Sequence, residues 1–204
     1  MSQISKLLSC PVSSDLDHGI IVTSPAGRGE IVRGYRRLEG SYIGVSYVNG
    51  IFPSGTTVSY SGLFTYKHWR GGRIIQYEEP KTNLTELLKF EVGSSHLYES
   101  VRYNPRFPDR KWFVSTKYRI EAATDFNIGG CSYASVQISR EGTIMLPGRK
   151  VKRDREVYIF VPELLLRVSG TGMRWGSISS VRKRTILDGR EWPFSQDAAS
   201  VLRD

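Results

Sequence analysis

Apolar and polar positions alternate with a period of two along most of this chain, and such alternation predicts strands rather than helices. The clearest run is 112–120, with Trp112, Val114, Thr116, Tyr118 and Ile120 on one face and Phe113, Ser115, Lys117 and Arg119 on the other. Ala134, Val136 and Ile138 repeat the pattern against Ser135, Gln137 and Ser139. Ile43, Val45 and Tyr47 share a face of 41–48, and Val58, Tyr60, Phe64 and Tyr66 keep one parity across 56–66. Shorter candidates are 19–23 and 30–33, separated by a turn cluster rich in Gly, Pro and Ser. Residues 156–161 are apolar on both faces and predict a strand covered on both sides. Pro162 has no N–H to give a central ladder, so it ends that strand before 164–168 resumes. One helix is predicted over 83–89: Asn83 caps it, Glu86 completes a capping box, and Leu84, Leu87 and Leu88 form an apolar stripe.

Strands at this spacing, with turns rich in Gly, Pro and Asn, predict an all-β fold with a minor helix. The expected architecture is an antiparallel jelly-roll or Greek-key β-sandwich, or a barrel. The expected organisation is an N-terminal arm over 1–27, a β domain over 28–186 and a C-terminal tail over 187–204. Ile4, Leu7 and Leu8 in the arm have the spacing of a short amphipathic helix, which Pro11 interrupts. At 204 residues the chain is long enough to bury a core of its own.

Charge narrows the partners. A net charge of +9 and a pI near 9.7 point to a polyanion, with nucleic acid first. The densest run is Arg149, Lys150, Lys152, Arg153 and Arg155; Arg182, Lys183 and Arg184 form a second, and Arg28, Arg33, Arg36 and Arg37 a looser third. Phosphate contacts from such runs position a chain without reading bases, so the RNA binding expected of them is sequence-independent. The alternative for 149–155 is a solvated loop between two strands. No stretch has the length of a membrane span, and 1–20 hold no continuous apolar run like that of a signal peptide. Cys10 and Cys131 stand far apart in sequence, so no disulfide framework is expected and a reducing compartment is the simpler assumption.

An aromatic segment with Phe64, Tyr66 and Trp69 runs into Arg70-Gly71-Gly72 and then an apolar strand. This block resembles the aromatic-Trp-Arg-Gly segment of jelly-roll capsid proteins of picorna-like RNA viruses. Val101-Arg102-Tyr103-Asn104-Pro105 is similar to a later Tyr-x-Pro element of that family, and 132–147 to its penultimate strand region. The resemblance spans about 62–162. It implies a non-enzymatic virion protein that assembles with itself or related capsid subunits around RNA, passing through the host cytoplasm, with no cofactor and no membrane partner. Trp69 at a core edge, with Arg70 meeting a carbonyl or carboxylate there, accounts for the same residues without any such function. The rival from another class is a monomeric or small-oligomer nucleic-acid-binding β protein of the movement or silencing-suppressor type.

Enzyme signatures are sparse. Gly129-Gly130-Cys131-Ser132 resembles the nucleophile loop of viral chymotrypsin-like cysteine proteases, with His18, His68 and His96 preceding it. Ser132 stands where that class has glycine, and no histidine follows. Three histidines and two cysteines, scattered, make no zinc motif, and no phosphate-binding or dinucleotide loop is present.

Overall fold

The computed structural model describes residues 9–26, 29–49, 52–70, 73–146, 149–169, 176–180, 185–187 and 190–192. The protein is all-β, and its strands run longer than the alternation alone marks. In chain order they are β1 (Ile20–Ala26), β2 (Gly29–Arg37), β3 (Tyr42–Asn49), β4 (Phe52–Tyr60), β5 (Phe64–Arg70), β6 (Arg73–Pro80) and β7 (Ser95–Asn104). There follow β8 (Phe107–Ile128), β9 (Cys131–Leu146), β10 (Arg149–Val161), β11 (Leu166–Ser169), β12 (Ser177–Ser180), β13 (Thr185–Leu187) and β14 (Arg190–Trp192). The described residues hold no α-helix, only 3-10 turns at Ser13–Asp17, Glu86–Leu88 and Pro162–Leu164.

The first 12 strands make one antiparallel sheet in which β1 to β11 each lie beside their chain neighbours, and β12 pairs with β1. Laid flat, 12 strands would span about 53 Å at ~4.8 Å per step. Yet only residues 170–176 join β11, at one edge, to β12, at the other, a reach of under about 30 Å. The sheet is therefore coiled until its two edges approach.

Packing agrees. One core gathers Ile20, Val22, Tyr35, Ile43 and Val45 from β1–β3 with Tyr133, Val161, Leu166 and Val168 from β9–β11, and with Ile178 of β12. A second, on the opposite face of β9 and β10, holds Tyr98, Tyr118, Ile120, Ile138, Tyr158 and Phe160 with Leu63, Phe64 and Leu87. Strand β10 is thus covered on both sides, as its doubly apolar sequence requires: Phe160 and Val161, on opposite faces, are both fully buried. Pro162 ends it in a 3-10 turn, and Leu165 takes a left-handed conformation before β11 begins.

Val114, Thr116, Tyr118 and Ile120 are buried on one side of β8, while Phe113, Lys117 and Arg119 are exposed on the other. The alternation over 56–66, however, covers two strands. Ser61 and Gly62 both have positive φ (48° and 72°), a tight hairpin turn closed by the Leu63 amide donating to the Tyr60 carbonyl at 3.0 Å. A Cβ on Gly62 would stand 1.9 Å from the Leu165 carbonyl oxygen, so this turn abuts the β10–β11 turn with no room for a side chain.

The expected helix over 83–89 is reduced to the turn Glu86–Leu88. The Asn83 side chain is spent locally, accepting from the Thr85 amide at 3.1 Å. A segment this short cannot offset helix nucleation by itself, and its leucines pack onto the second core instead. The run 149–155 is the first half of β10 rather than a loop. Part of the stretch expected as an arm belongs to the body: Leu16 is fully buried and β1 is a ladder strand. The amphipathic spacing of Ile4, Leu7 and Leu8 lies outside the described residues.

The cysteine expectation is overturned. Cys10 and Cys131 are joined by a disulfide across 121 residues, their Cα atoms 5.6 Å apart. Cys131 opens β9 directly after the Gly129-Gly130 turn, and beside it the Tyr133 hydroxyl donates to the Pro11 carbonyl at 3.1 Å. The resemblance to a protease nucleophile loop loses its basis: these glycines are a hairpin turn, both at positive φ, and a bonded sulfur is no thiolate.

Candidate polyanion-binding rim

A sequential antiparallel sheet sends alternate turns to opposite ends. The hairpin-closing pairs Ala26–Gly29, Asn49–Phe52, Arg70–Arg73, Asn104–Phe107 and Leu146–Arg149 all fall at one end. This rim is cationic. Arg70 and Arg73 face each other across the β5–β6 end, and Arg106, Arg110 and Lys111 follow the β7–β8 turn, all of them exposed. Arg149, Lys150 and Lys152 run in β10 beside Leu146, Met145 and Ile144. Arg153 and Arg155, next along that strand, are exposed.

The other end carries Asp15, Asp17, Glu39, Asp125 and Glu163 near its turns. Its character is felt at Tyr133, whose hydroxyl is pushed up to about 12 by burial first and then by the Glu163 and Asp15 carboxylates. Arg37 is neutralised there by Asp17 at 3.0 Å.

Charges inside the coil are matched in place. Arg140 lies 3.2 Å from Asp154 and 3.5 Å from Glu156, and Arg167 donates to Glu156 while stacking 4.3 Å above the Tyr158 ring. Glu78, buried to 3%, accepts from Ser100 at 2.8 Å and from Arg102 at 2.8 Å. Tyr98 beside it is raised well above the ordinary phenol range, by burial and then by the Glu78 charge. This network fixes the packing of β6–β11, although the buried Tyr98 and Tyr158 hydroxyls and Arg167 Nε within it have no hydrogen-bond partner among the described residues.

The expected site residues divide accordingly. Arg153 and Arg155 are exposed but lie along β10 away from the rim turn, Arg155 opposite Glu141, while Arg182, Lys183, Arg184 and Arg28 lie outside the described residues. Arg33 donates to Ser24 at 3.1 Å and Arg37 serves the ion pair above. Of the aromatic-Trp-Arg-Gly block, Phe64 is core, packed 4.9 Å from Tyr98; Trp69 is half-buried and Arg70 is exposed. Gly71 and Gly72 lie outside the described residues. Arg70 stood out in sequence only within the aromatic-Trp-Arg-Gly block, and Arg106 and Arg110 only within an aromatic and Arg-rich segment suited to subunit contact; that they share one end with Arg73 and Lys111 follows from the strand order alone. Noting that they sit at every second turn of a meander would have found them.

His68 bonds Thr57 at 2.8 Å and is held below its ordinary pKa by burial and then by Arg70, while His96 bonds Ser94 at 3.2 Å. Among the described residues no three His, Cys, Asp or Glu side chains cluster to hold a metal. No helix among them is long and apolar enough to cross a membrane.

No family model matches the chain, and no curated protein matches it. Among solved structures it is similar to the hypothetical lipoprotein YmcC from Escherichia coli (K12), with a TM-score of 0.46 and 12% identity over 85% of this chain and 89% of that one. A likeness of that degree carries no argument here.

Proposed function

We propose that this chain is a non-enzymatic structural protein that contacts RNA through its cationic rim and assembles with itself or related subunits, the capsid-protein reading implied by the aromatic-Trp-Arg-Gly resemblance. The observation that carries the RNA contact is the gathering of Arg70, Arg73, Arg106, Arg110 and Lys111 at one end of the sheet, with exposed Arg153 four residues along β10 from its rim turn. Six such cations on single-stranded phosphates predict log affinity falling with log salt at a slope of about −4. In this reading the coiled sheet is the assembly unit, a meander in place of the expected jelly-roll or Greek-key sandwich. The two cores provide its layers, although the sequential strand order is that of a meander and lacks Greek-key crossovers among the described strands. The disulfide suits a virion outside the cell, and it would form after any cytoplasmic assembly stage.

A second reading is the monomeric or small-oligomer nucleic-acid-binding protein. It is favoured by the shortness of the sheet's edges: β11 and β12 are four residues each and leave little ladder for a neighbouring copy to extend.

The test measures binding of a labelled oligoribonucleotide across a salt series, for the wild type and for Arg106→Glu/Arg110→Glu/Arg153→Glu. Light scattering and electron microscopy with and without RNA accompany it. A slope near −4 that collapses in the triple variant supports the rim; a slope shallower than about −1, or one untouched by the reversal, overturns it. Particles or capsomers support the capsid reading, and discrete small species support the second.

A further inference from the structure

Resting on the rim reading above, we infer that the outer face of β8 and β9 beside the rim is a stacking surface, so that the nucleic acid held there is single-stranded. Five of the exposed large apolar side chains, Ile75, Leu97, Phe107, Phe113 and Met145, lie on strands that reach the rim, and Phe107 and Phe113 are 53% and 48% exposed. Phe113 and Met145 are register partners across the β8–β9 ladder. From Lys111 on, one face of β8 reads Lys111, Phe113, Ser115, Lys117; the register shifts before it, and the Phe107 ring there has Arg110 placed 5.2 Å away. Successive residues of one face stand about 6.8 Å apart, so the Phe113 ring alternates with the cations Lys111 and Lys117 on the scale of nucleotides.

That alternation decides between occupants. A duplex offers phosphates and keeps its bases stacked inside, leaving Phe107 and Phe113 nothing to cover. A single strand offers both charges and π-faces. An anionic membrane would call for a broad apolar area, whereas here the exposed Phe113–Met145 pair stands between Lys111 and the Ser115–Glu99 pair, and exposed Leu97 faces Lys117.

The experiment compares a labelled oligoribonucleotide with the duplex of the same sequence, by anisotropy at fixed salt. The proteins are the wild type, Phe113→Ala, Phe107→Ala and Phe113→Tyr, each checked for an unchanged thermal midpoint. Single-strand affinity is expected to fall about 5- to 100-fold in either alanine variant and to be retained by Phe113→Tyr, with duplex binding unmoved. Equal single-strand and duplex binding that is lost with the rim triple variant but indifferent to Phe107 and Phe113 overturns the stacking surface and leaves the rim reading standing. Retention on anionic lipid vesicles or heparin, without salt-dependent binding of either RNA, overturns both.

Discussion

Removing the Cys10–Cys131 disulfide is the perturbation whose size follows most directly from the structure. The bond closes a loop of 121 residues, and the chain-entropy relation gives about 5 kcal/mol of stabilisation for a loop that long. That is a large share of the roughly 5–15 kcal/mol that holds a typical domain together. The loss has a definite place. The segment the bond anchors carries buried Leu16, the Tyr133–Pro11 hydrogen bond and the Arg37–Asp17 pair, so this end of the first core should loosen before the second core does. The assay is equilibrium urea unfolding of the wild type, oxidised and reduced, beside Cys10→Ala/Cys131→Ala. For a chain of this size, about 5 kcal/mol corresponds to a thermal midpoint lower by roughly 10–20 °C. Hydrogen exchange should show early loss of protection at Tyr133 and Val22, with Ile138 and Tyr158 retained. A double variant within about 1 kcal/mol of the oxidised wild type would refute the reasoning, because the loop would then cost the unfolded chain almost nothing.

Three further outcomes are expected. Gly62→Ala puts a Cβ 1.9 Å from the Leu165 carbonyl oxygen at a φ of 72°, and should cost on the order of 2–4 kcal/mol in thermal unfolding; a neutral result would mean the two turns do not abut. Arg102→Met strands the buried Glu78 carboxylate and should cost about 3–5 kcal/mol, while adding Glu78→Gln recovers much of it; a double-mutant cycle with no coupling would deny the pair. Alkaline stability should fall from about pH 10, where unfolded tyrosines ionise, towards 12, because burial raises Tyr133 and Tyr103 to about 12 and Tyr98 and Tyr158 further still. In each the folded pKa is the higher, so the folded state keeps its proton longer and gains nothing below pH 10. Absorbance titration of the phenolates checks this, and all tyrosines ionising near pH 10 without unfolding would contradict it.

Strand existence was legible because one sheet face is buried and the other wet, which writes itself into 112–120 with a period of two. Double coverage of β10 was legible for the same reason, from 156–161. Long-range pairing was not. Nothing local to Cys10 says that the Gly129-Gly130 turn brings Cys131 beside it, and nothing in 56–66 says that Ser61 takes a positive φ, which is uncommon for serine. The helix over 83–89 misled because its leucine spacing satisfies a core from a 3-10 turn as well as from a helix. Of the rim, only the run in β10 showed as a cluster. Arg70, Arg73, Arg106 and Arg110 acquire meaning only when strand order carries alternate turns to one end.

The β1–β12 seam also sets a condition on biosynthesis. Every other ladder of the large sheet can zip between chain neighbours as each strand leaves the ribosome, but β1 waits for Ser177–Ser180 before one flank is covered. Until then Ile20–Thr23 presents an open row of amides and carbonyls, and a nascent chain stalled ahead of that point offers a template to any extended strand nearby. Translation to the last ladder strand thus replaces the open flank of β1 at Ile20–Thr23 with the short four-residue edge of β12.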